Sequence, residues 1–353
     1  MQMTARDLAP RAAVDRWLDS LRPDRTDETL ATYWYRLKLF VEWGEGHDEI
    51  ATMQDLDGWL LDAYEAHRRG QDPTTNTLKN ELTTLRSFIE YCEGLGVVTD
   101  GLSNQIDPPT VPKAEQSSDT KLATSDSQAL LEHYRNDPGQ NGSRGHALVE
   151  VFWHTTARVG EVRALDVEDV QQLGDGQRYL VFRNRPNRGT RLKKGAQGER
   201  AVMLPDPAAD VLQLYIDEYR HDITDEYDRR PLFTSNQGRA SRNGLRQWTY
   251  RVTVPCVHTA CPHDRDRETC EYLEHNRASG CPSSRSPHQI RTGAITWLRD
   301  SGVSEEEVAD RANATVETIR THYDKQDPVR EMLERRSQAI DIVKNQNNDK
   351  NDS

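Results

Sequence analysis

Three side chains near the C-terminal end of this 353-residue chain have types and spacing suited to work on a phosphate. His288 and Arg291 stand three apart, about one helical turn, so a helix aims both at the same spot. An arginine offers a rigid fork of donors that fits phosphate oxygens, and an imidazole carries a proton near neutral pH. Tyr323 follows 32 residues after Arg291. A phenol placed beside such a clamp is a nucleophile for phosphorus.

Alone, each of these residues has a plain reading: a tyrosine at a helix end is packing, a helix-terminal histidine is surface, and His322 reads as solvent-facing. Their meaning comes from what precedes them in order. Ala157-Arg158-Val159-Gly160-Glu161 follows an apolar stretch from about 145 to 155, so Arg158 sits on the turn after a buried helix, and Glu161 orients it or ties down its helix. Residues 178–182 and 200–204 read as two strands joined by a basic loop. From 178 to 200 there are eight Lys and Arg against Glu199, a local balance of +7. In a chain of net charge −12 this is the clearest footprint for a polyanion. A helix near 241–252 adds Arg242, Arg246 and Arg251, with Leu245 and Trp248 on its other face. Those arginines either face nucleic acid or pair with the chain's own carboxylates.

The elements that must position these residues are mainly helical. From 12 to 96 the apolar residues recur at helical spacing in four stripes, led by Trp17, Phe40, Trp59 with Leu60, and Phe88, which predicts a small four-helix domain over 1–105. Thr26 and Thr74 precede two of the helices as caps. Arg36, Lys38, Lys79 and Arg86 on the second and fourth helices either meet a phosphate backbone or form a solvated face. Residues 106–124, with three prolines and little apolar content, read as a linker. A second domain runs from 125 to 343, opened by Ser125-Asp126-Ser127 as a cap and closed by a helix over 328–343. Ser304-x-x-Glu307 is a capping box, and Thr315 caps the turn that carries Tyr323. Residues 344–353 are a polar, disordered tail.

Within the second domain, 255–287 has no period and holds Cys256, Cys261, Cys270 and Cys281, with His258, His263 and His275 among them. Thiolates and imidazoles at short spacing can order such a segment around a structural zinc ion; the four cysteines are the expected ligands and the histidines the substitutes.

The composition bounds the setting. There are 46 Lys and Arg against 58 Asp and Glu, and only nine of the former are lysine. Excess carboxylate with a mean hydropathy of −0.88 fits adaptation to high salt, as in a halophilic archaeon. No apolar run reaches the roughly 18 residues of a membrane span, and the N-terminal residues lack a signal peptide's apolar core, so a cytoplasmic protein without membrane contact is expected.

The order Arg158, Lys193-Lys194-Gly195 on the hairpin, His288 with Arg291, and Tyr323 resembles the tyrosine recombinases, the phage integrases and Xer-like site-specific recombinases. The resemblance covers most of the chain. It implies a mainly α fold with a small β-sheet: an N-terminal helical, SAM-like core-binding domain followed by a catalytic domain. It implies an enzyme that cuts and rejoins double-stranded DNA through a 3′-phosphotyrosyl bond, four protomers on two DNA sites, and no cofactor for catalysis. By the same resemblance Arg158 and Arg291 clamp the phosphate, Tyr323 attacks, His288 assists proton transfer, and Lys194 protonates the 5′-oxygen, with Lys193 as the alternative. Where the family carries Leu-Gly-His or Leu-Gly-Trp, this chain reads Arg311-Ala312-Asn313-Ala314, so Asn313 stands for a residue that carries a proton elsewhere. The rival reading is a zinc-stabilised regulator of the same fold that binds DNA without cutting it.

Overall fold

The caps written into the sequence start the helices of the first unit. Thr26 accepts from the Thr29 N–H at the head of α2 (Asp27–Glu45), Asp57 from Leu60 ahead of α3 (Gly58–Gly70), and Thr74 from Thr77 ahead of α4 (Thr75–Gly94). Only α1 (Pro10–Leu21) lacks a side-chain cap; Pro10 occupies its first turn, where the missing N–H is no loss. The four bury Val14, Trp17, Leu37, Phe40, Tyr64, Leu82 and Phe88 in one core. Trp17 stacks on Tyr33 at 5.4 Å, and Phe40 meets Tyr64 edge-on at 5.3 Å.

One stripe is corrected. Trp59 is 78% exposed, because α3 begins at Gly58 and its inward register runs Leu60, Leu61, Tyr64, Arg68. The basic residues on α2 and α4 are mostly tied down: Arg36 donates to Thr84, Lys38 pairs with Glu42, and Arg86 pairs with Glu90.

The structure is a computed structural model that describes residues 8–112, 119–274 and 276–323, without the side chain of His322. The chain divides into two compact units, Met1–Ser117 and Ser118–Ser353. The expected 328–343 helix, the 344–353 tail and His275 lie outside the described residues. The segment expected to be unburied does contribute apolar anchors: Ile106, Val111 and Leu122 are all buried.

In the second unit α6 (Arg144–Thr155) is buried on nearly every side, as its continuous apolar run requires. Around it pack α5 (Thr124–Asn136), α8 (Asp206–Leu214), α9 (Arg242–Val252) and α10 (Pro287–Asp300). α5 starts at Ala123 with no side-chain cap, so the expected serine and aspartate cap is not formed. A three-stranded antiparallel sheet, β1 (Val170–Gln172), β2 (Arg178–Phe182) and β3 (Arg200–Met203), aligns Leu180 between Val170 and Val202. Strand β1 and a two-residue pairing, β4 (Thr234–Ser235) with β5 (Gly238–Arg239), carry too little apolar alternation to announce themselves. Gly293 on α10 lets Leu122 lie against the helix; a Cβ there would come within 2.0 Å of the Leu122 carbonyl oxygen. Among the described residues no helix is long and apolar enough to cross a membrane.

Candidate active site

The end of α6 is a sharp turn. Thr156 adopts φ 54°, ψ 22°, a left-handed conformation that β-branched residues resist. The turn throws the chain into α7 (Val159–Ala164), with Arg158 at its N-cap. Glu161, at the third position of α7, accepts from the Arg158 N–H at 2.8 Å and from the Arg158 guanidinium at 3.0 Å. The same carboxylate pairs with Arg200 on β3 at 3.0 Å. Burial works against ionisation of Glu161, yet Arg200, the Arg158 N–H and guanidinium, and Arg291 outweigh it and hold its pKa below the ordinary value.

The other half comes from α10 and α11 (Glu305–Ala312). Ser286 and Gln289 form a capping box that starts α10, which places His288 and Arg291 on its first turns. Arg291 is 1% exposed. Its Nε donates to the Tyr323 hydroxyl at 3.3 Å, and Nη1 donates to the Thr156 carbonyl. Its Nη2 is buried and has no hydrogen-bond partner among the described residues. Burial lowers the Arg291 pKa from its ordinary value, against the pull of the adjoining Tyr323. The His288 ring lies 5.6 Å from that of Tyr323.

Tyr323 ends a wide helical turn, Ile319–Tyr323, and packs with Ile295, Val308, Ala312 and Ile319; its carbonyl accepts from Thr296 at 3.2 Å. Asn313 ends α11 in the left-handed region, and its carbonyl accepts from Arg158 Nη2 at 3.1 Å. The Asn313 amide nitrogen is buried without a partner among the described residues, close to Gly198 of the β2–β3 loop. Three guanidiniums therefore face one carboxylate, with unsatisfied donors beside a phenol. Such a place suits a doubly bonded anion such as a phosphodiester.

The hairpin charge is smaller than its sequence count. Arg178 pairs with Asp210, Arg183 and Arg185 with the fully buried Asp169, and Arg200 with Glu161. Arg188, Arg191, Lys193 and Lys194 remain exposed with no ion pair among the described residues. Lys194 begins the short turn Gly195–Gly198, the turn that reaches Asn313. On α9, Arg246 and Arg251 are exposed, while Trp248 lies under the Arg144 guanidinium at 3.7 Å. Thr156, Arg200 and Thr296 were not foreseen as site residues: a backbone angle leaves no mark in sequence, and Arg200 reads as one more basic residue of the hairpin.

Among the described residues no three Cys, His, Asp or Glu side chains converge closely enough to hold a metal ion. Cys256 and Cys281 are buried and Cys261 and Cys270 half-buried. Cys256 and Cys261 adjoin one another. Burial and then Cys261 push the Cys256 thiol up, whereas the His263 and Arg265 N–H groups draw Cys261 down. His263 meets Ser283 at 2.9 Å, whereas His258, 6.2 Å from the His133 ring, has its Nδ1 buried without a hydrogen-bond partner among the described residues.

No family model matches the chain. It is similar to the tyrosine recombinase XerD of Oceanobacillus iheyensis, 24% identical over 272 residues, 75% of this chain and 86% of that one. Against the tyrosine recombinase XerD of Pseudomonas aeruginosa it is 28% identical over 294 residues, 82% and 84% of the two chains. The fold matches that of the Tn1549 transposon integrase solved in complex with transposon right end DNA, with TM-score 0.61 and 12% identity over 95% of this chain and 100% of that one. With such relatives, that fold, and a tyrosine seated on a buried arginine, the chain is similar to the tyrosine recombinases and has the integrase fold.

Proposed function

We propose that the protein is a site-specific DNA recombinase that cuts double-stranded DNA with Tyr323 and rejoins it through a 3′-phosphotyrosyl intermediate. The observation that carries this is the contact between Arg291 Nε and the Tyr323 hydroxyl at 3.3 Å, with Arg291 Nη2 left unsatisfied. One guanidinium can thus hold the nucleophile and the phosphate it attacks. Arg158 supplies the second fork, and the Asn313 amide a further neutral donor. Tyr323 attacks phosphorus, its proton leaving by way of His288, and the 5′-oxygen departs with a proton from Lys194 on the hairpin. The ester conserves the phosphodiester's energy, so religation by a second 5′-hydroxyl reverses the step without metal or nucleotide. Arg188, Arg191 and Lys193 contact the backbone around the cleavage point.

The recombinase works in the cytoplasm as four copies on two DNA sites, and its acidic surface suits a high-salt interior. A nicked duplex library, in which the fragment released on cleavage diffuses away, traps the intermediate. Wild-type protein is expected to give a denaturation-resistant protein–DNA band in molar salt, and Tyr323→Phe none. A band of equal strength from Tyr323→Phe overturns the assignment. Sedimentation of the trapped complex, expected at four chains on two duplexes, tests the assembly.

A further inference from the structure

Arg200 is the third guanidinium of the site, and each of its three nitrogens is engaged by the protein itself. Nη2 pairs with Glu161 at 3.0 Å, Nε donates to the Arg311 carbonyl at 2.8 Å, and Nη1 donates to the Gly198 carbonyl at 3.3 Å. The group sits over the Phe182 ring, 4.3 Å from its centroid. Arg291, by contrast, keeps Nη2 unsatisfied. Arg200 is therefore set to hold protein rather than phosphate, and its three acceptors lie on three separate parts of the catalytic machinery.

The first is Glu161, which accepts from the Arg158 N–H and guanidinium. The second is the last turn of α11. Carbonyls at a helix C-terminus lack partners within the helix and carry the negative end of its dipole, so cations suit them. Here three successive ones accept from guanidiniums: Arg311 from Arg200, Ala312 from Arg158 Nη1 at 3.4 Å, and Asn313 from Arg158 Nη2 at 3.1 Å. Arg158 and Arg200 thus grip the same helix end and the same carboxylate. The third acceptor, Gly198, closes the short turn that Lys194 begins and adjoins the Asn313 amide; a Cβ on Gly198 would lie 3.2 Å from Asn313 Nδ2.

Resting on the reading of Tyr323 as nucleophile, we propose that Arg200 is a positioning residue for cleavage: through Glu161 it fixes the direction of the Arg158 fork, and through the Arg311 and Gly198 carbonyls it holds the Asn313 amide and the Lys194 turn in register with that fork. Arg200 touches no reacting atom. It decides whether clamp, amide donor and proton donor converge on one phosphate, where a misplacement of about 1 Å can cost about 100-fold in rate. Its charge acts separately from its shape. Burial works against ionisation of Glu161, and Arg200 from β3, Arg158 on its own helix and Arg291 from α10 oppose it. Without Arg200, Glu161 takes up a proton at a higher pH and releases the Arg158 guanidinium.

The test is single-turnover adduct formation by the full chain on the nicked duplex library, at saturating DNA and across pH, with thermal melting of every protein. Arg200→Met is expected to lose at least about tenfold in rate at neutral pH, with duplex affinity little changed, and its acid decline should begin at a higher pH than in wild type. That displacement should vanish when Glu161→Gln is added, because no carboxylate is left to titrate. Arg200→Lys keeps a charge beside Glu161 but not the fork, so its acid decline should stay where wild type has it while its neutral-pH rate still falls. Should Arg200→Met fail to fold, Arg200→Lys still decides: a neutral-pH rate equal to that of wild type overturns the proposal. So does a loss in Arg200→Met that is uniform across pH or matched by an equal loss of duplex affinity, as a general loosening of the fold would give. No adduct from wild type overturns the recombinase reading instead, and the Arg200–Glu161 coupling is then read without DNA. The melting gap between wild type and Arg200→Met should narrow as pH falls, since protonation relieves the variant's buried carboxylate first; a gap constant with pH contradicts the coupling.

Discussion

Thr156 and Arg291 hold one another in place: the Thr156 carbonyl, turned inward by a left-handed backbone, accepts from Arg291 Nη1, and this leaves Nε for Tyr323 and Nη2 for substrate. A positive φ at a β-branched residue costs roughly 1–2 kcal/mol, while glycine adopts it freely at an entropic cost of about 0.5–1 kcal/mol. Thr156→Gly keeps the carbonyl, so chemical denaturation is expected to show a variant as stable as the parent or about 0.5 kcal/mol more so, with adduct formation within a few-fold. A loss of more than about 2 kcal/mol would show that the threonine side chain, not the turn, matters here.

Arg291→Lys tests the fork directly. A lysine keeps the charge but cannot donate to the tyrosine and a phosphate in two directions. The rate of covalent adduct formation should fall at least about 100-fold, while affinity for the duplex falls far less. Equal losses in both would mean that Arg291 serves binding alone.

The hairpin arginines separate into two kinds, and mutation should sort them. Arg188→Gln and Arg191→Gln remove exposed charges, so each should weaken DNA binding evenly across sequences and reduce the log–log salt slope by about 1, with melting unchanged. Arg185→Gln exposes the opposite behaviour. It strips a partner from Asp169, which is fully buried, and should destabilise the fold by about 3 kcal/mol. Salt-dependent binding and thermal melting on the same three proteins decide it.

Acid stability should carry the mark of Glu150 on α6. Burial opposes its ionisation, but His146, His154 and Arg135 outweigh burial and hold its pKa at about 2 against 4.5 ordinarily. A depressed carboxylate contributes stability that is whole above its unfolded pKa and disappears as pH falls through its folded value. The unfolding free energy should therefore decline from pH 4.5 to about 2, by about 3 kcal/mol from this group. Glu161, also depressed, adds in the same sense. Glu150→Gln should be less stable at neutral pH and flatter across the acid range; an unchanged slope would contradict the assignment.

The first unit's helices were legible because their apolar residues recur at the helical period and threonine stands before two of them, and the one misread position, Trp59, followed from placing the start of α3 two residues early. The site was legible as an ordered set, since Arg158, Arg291 and Tyr323 lie on elements with strong caps. Its internal pairing was not. Asp166 and Asp169 neutralise Arg183, Arg185, Arg229 and Arg239 across gaps of up to 73 residues, and a count of charges along the chain cannot see partners brought together by folding. The left-handed turn at Thr156 was equally invisible, because threonine is not a residue that advertises it.

The central claim is that Tyr323 becomes an ester of a DNA 3′-phosphate. Digestion of the trapped adduct, followed by mass spectrometry of the peptide that carries the nucleotide, measures this most directly. The expected result is a single phosphonucleotide on Tyr323, linked through its 3′-phosphate, with a free 5′-hydroxyl on the released strand. A nucleotide on any other residue, or a 5′-phosphate link, would contradict the account.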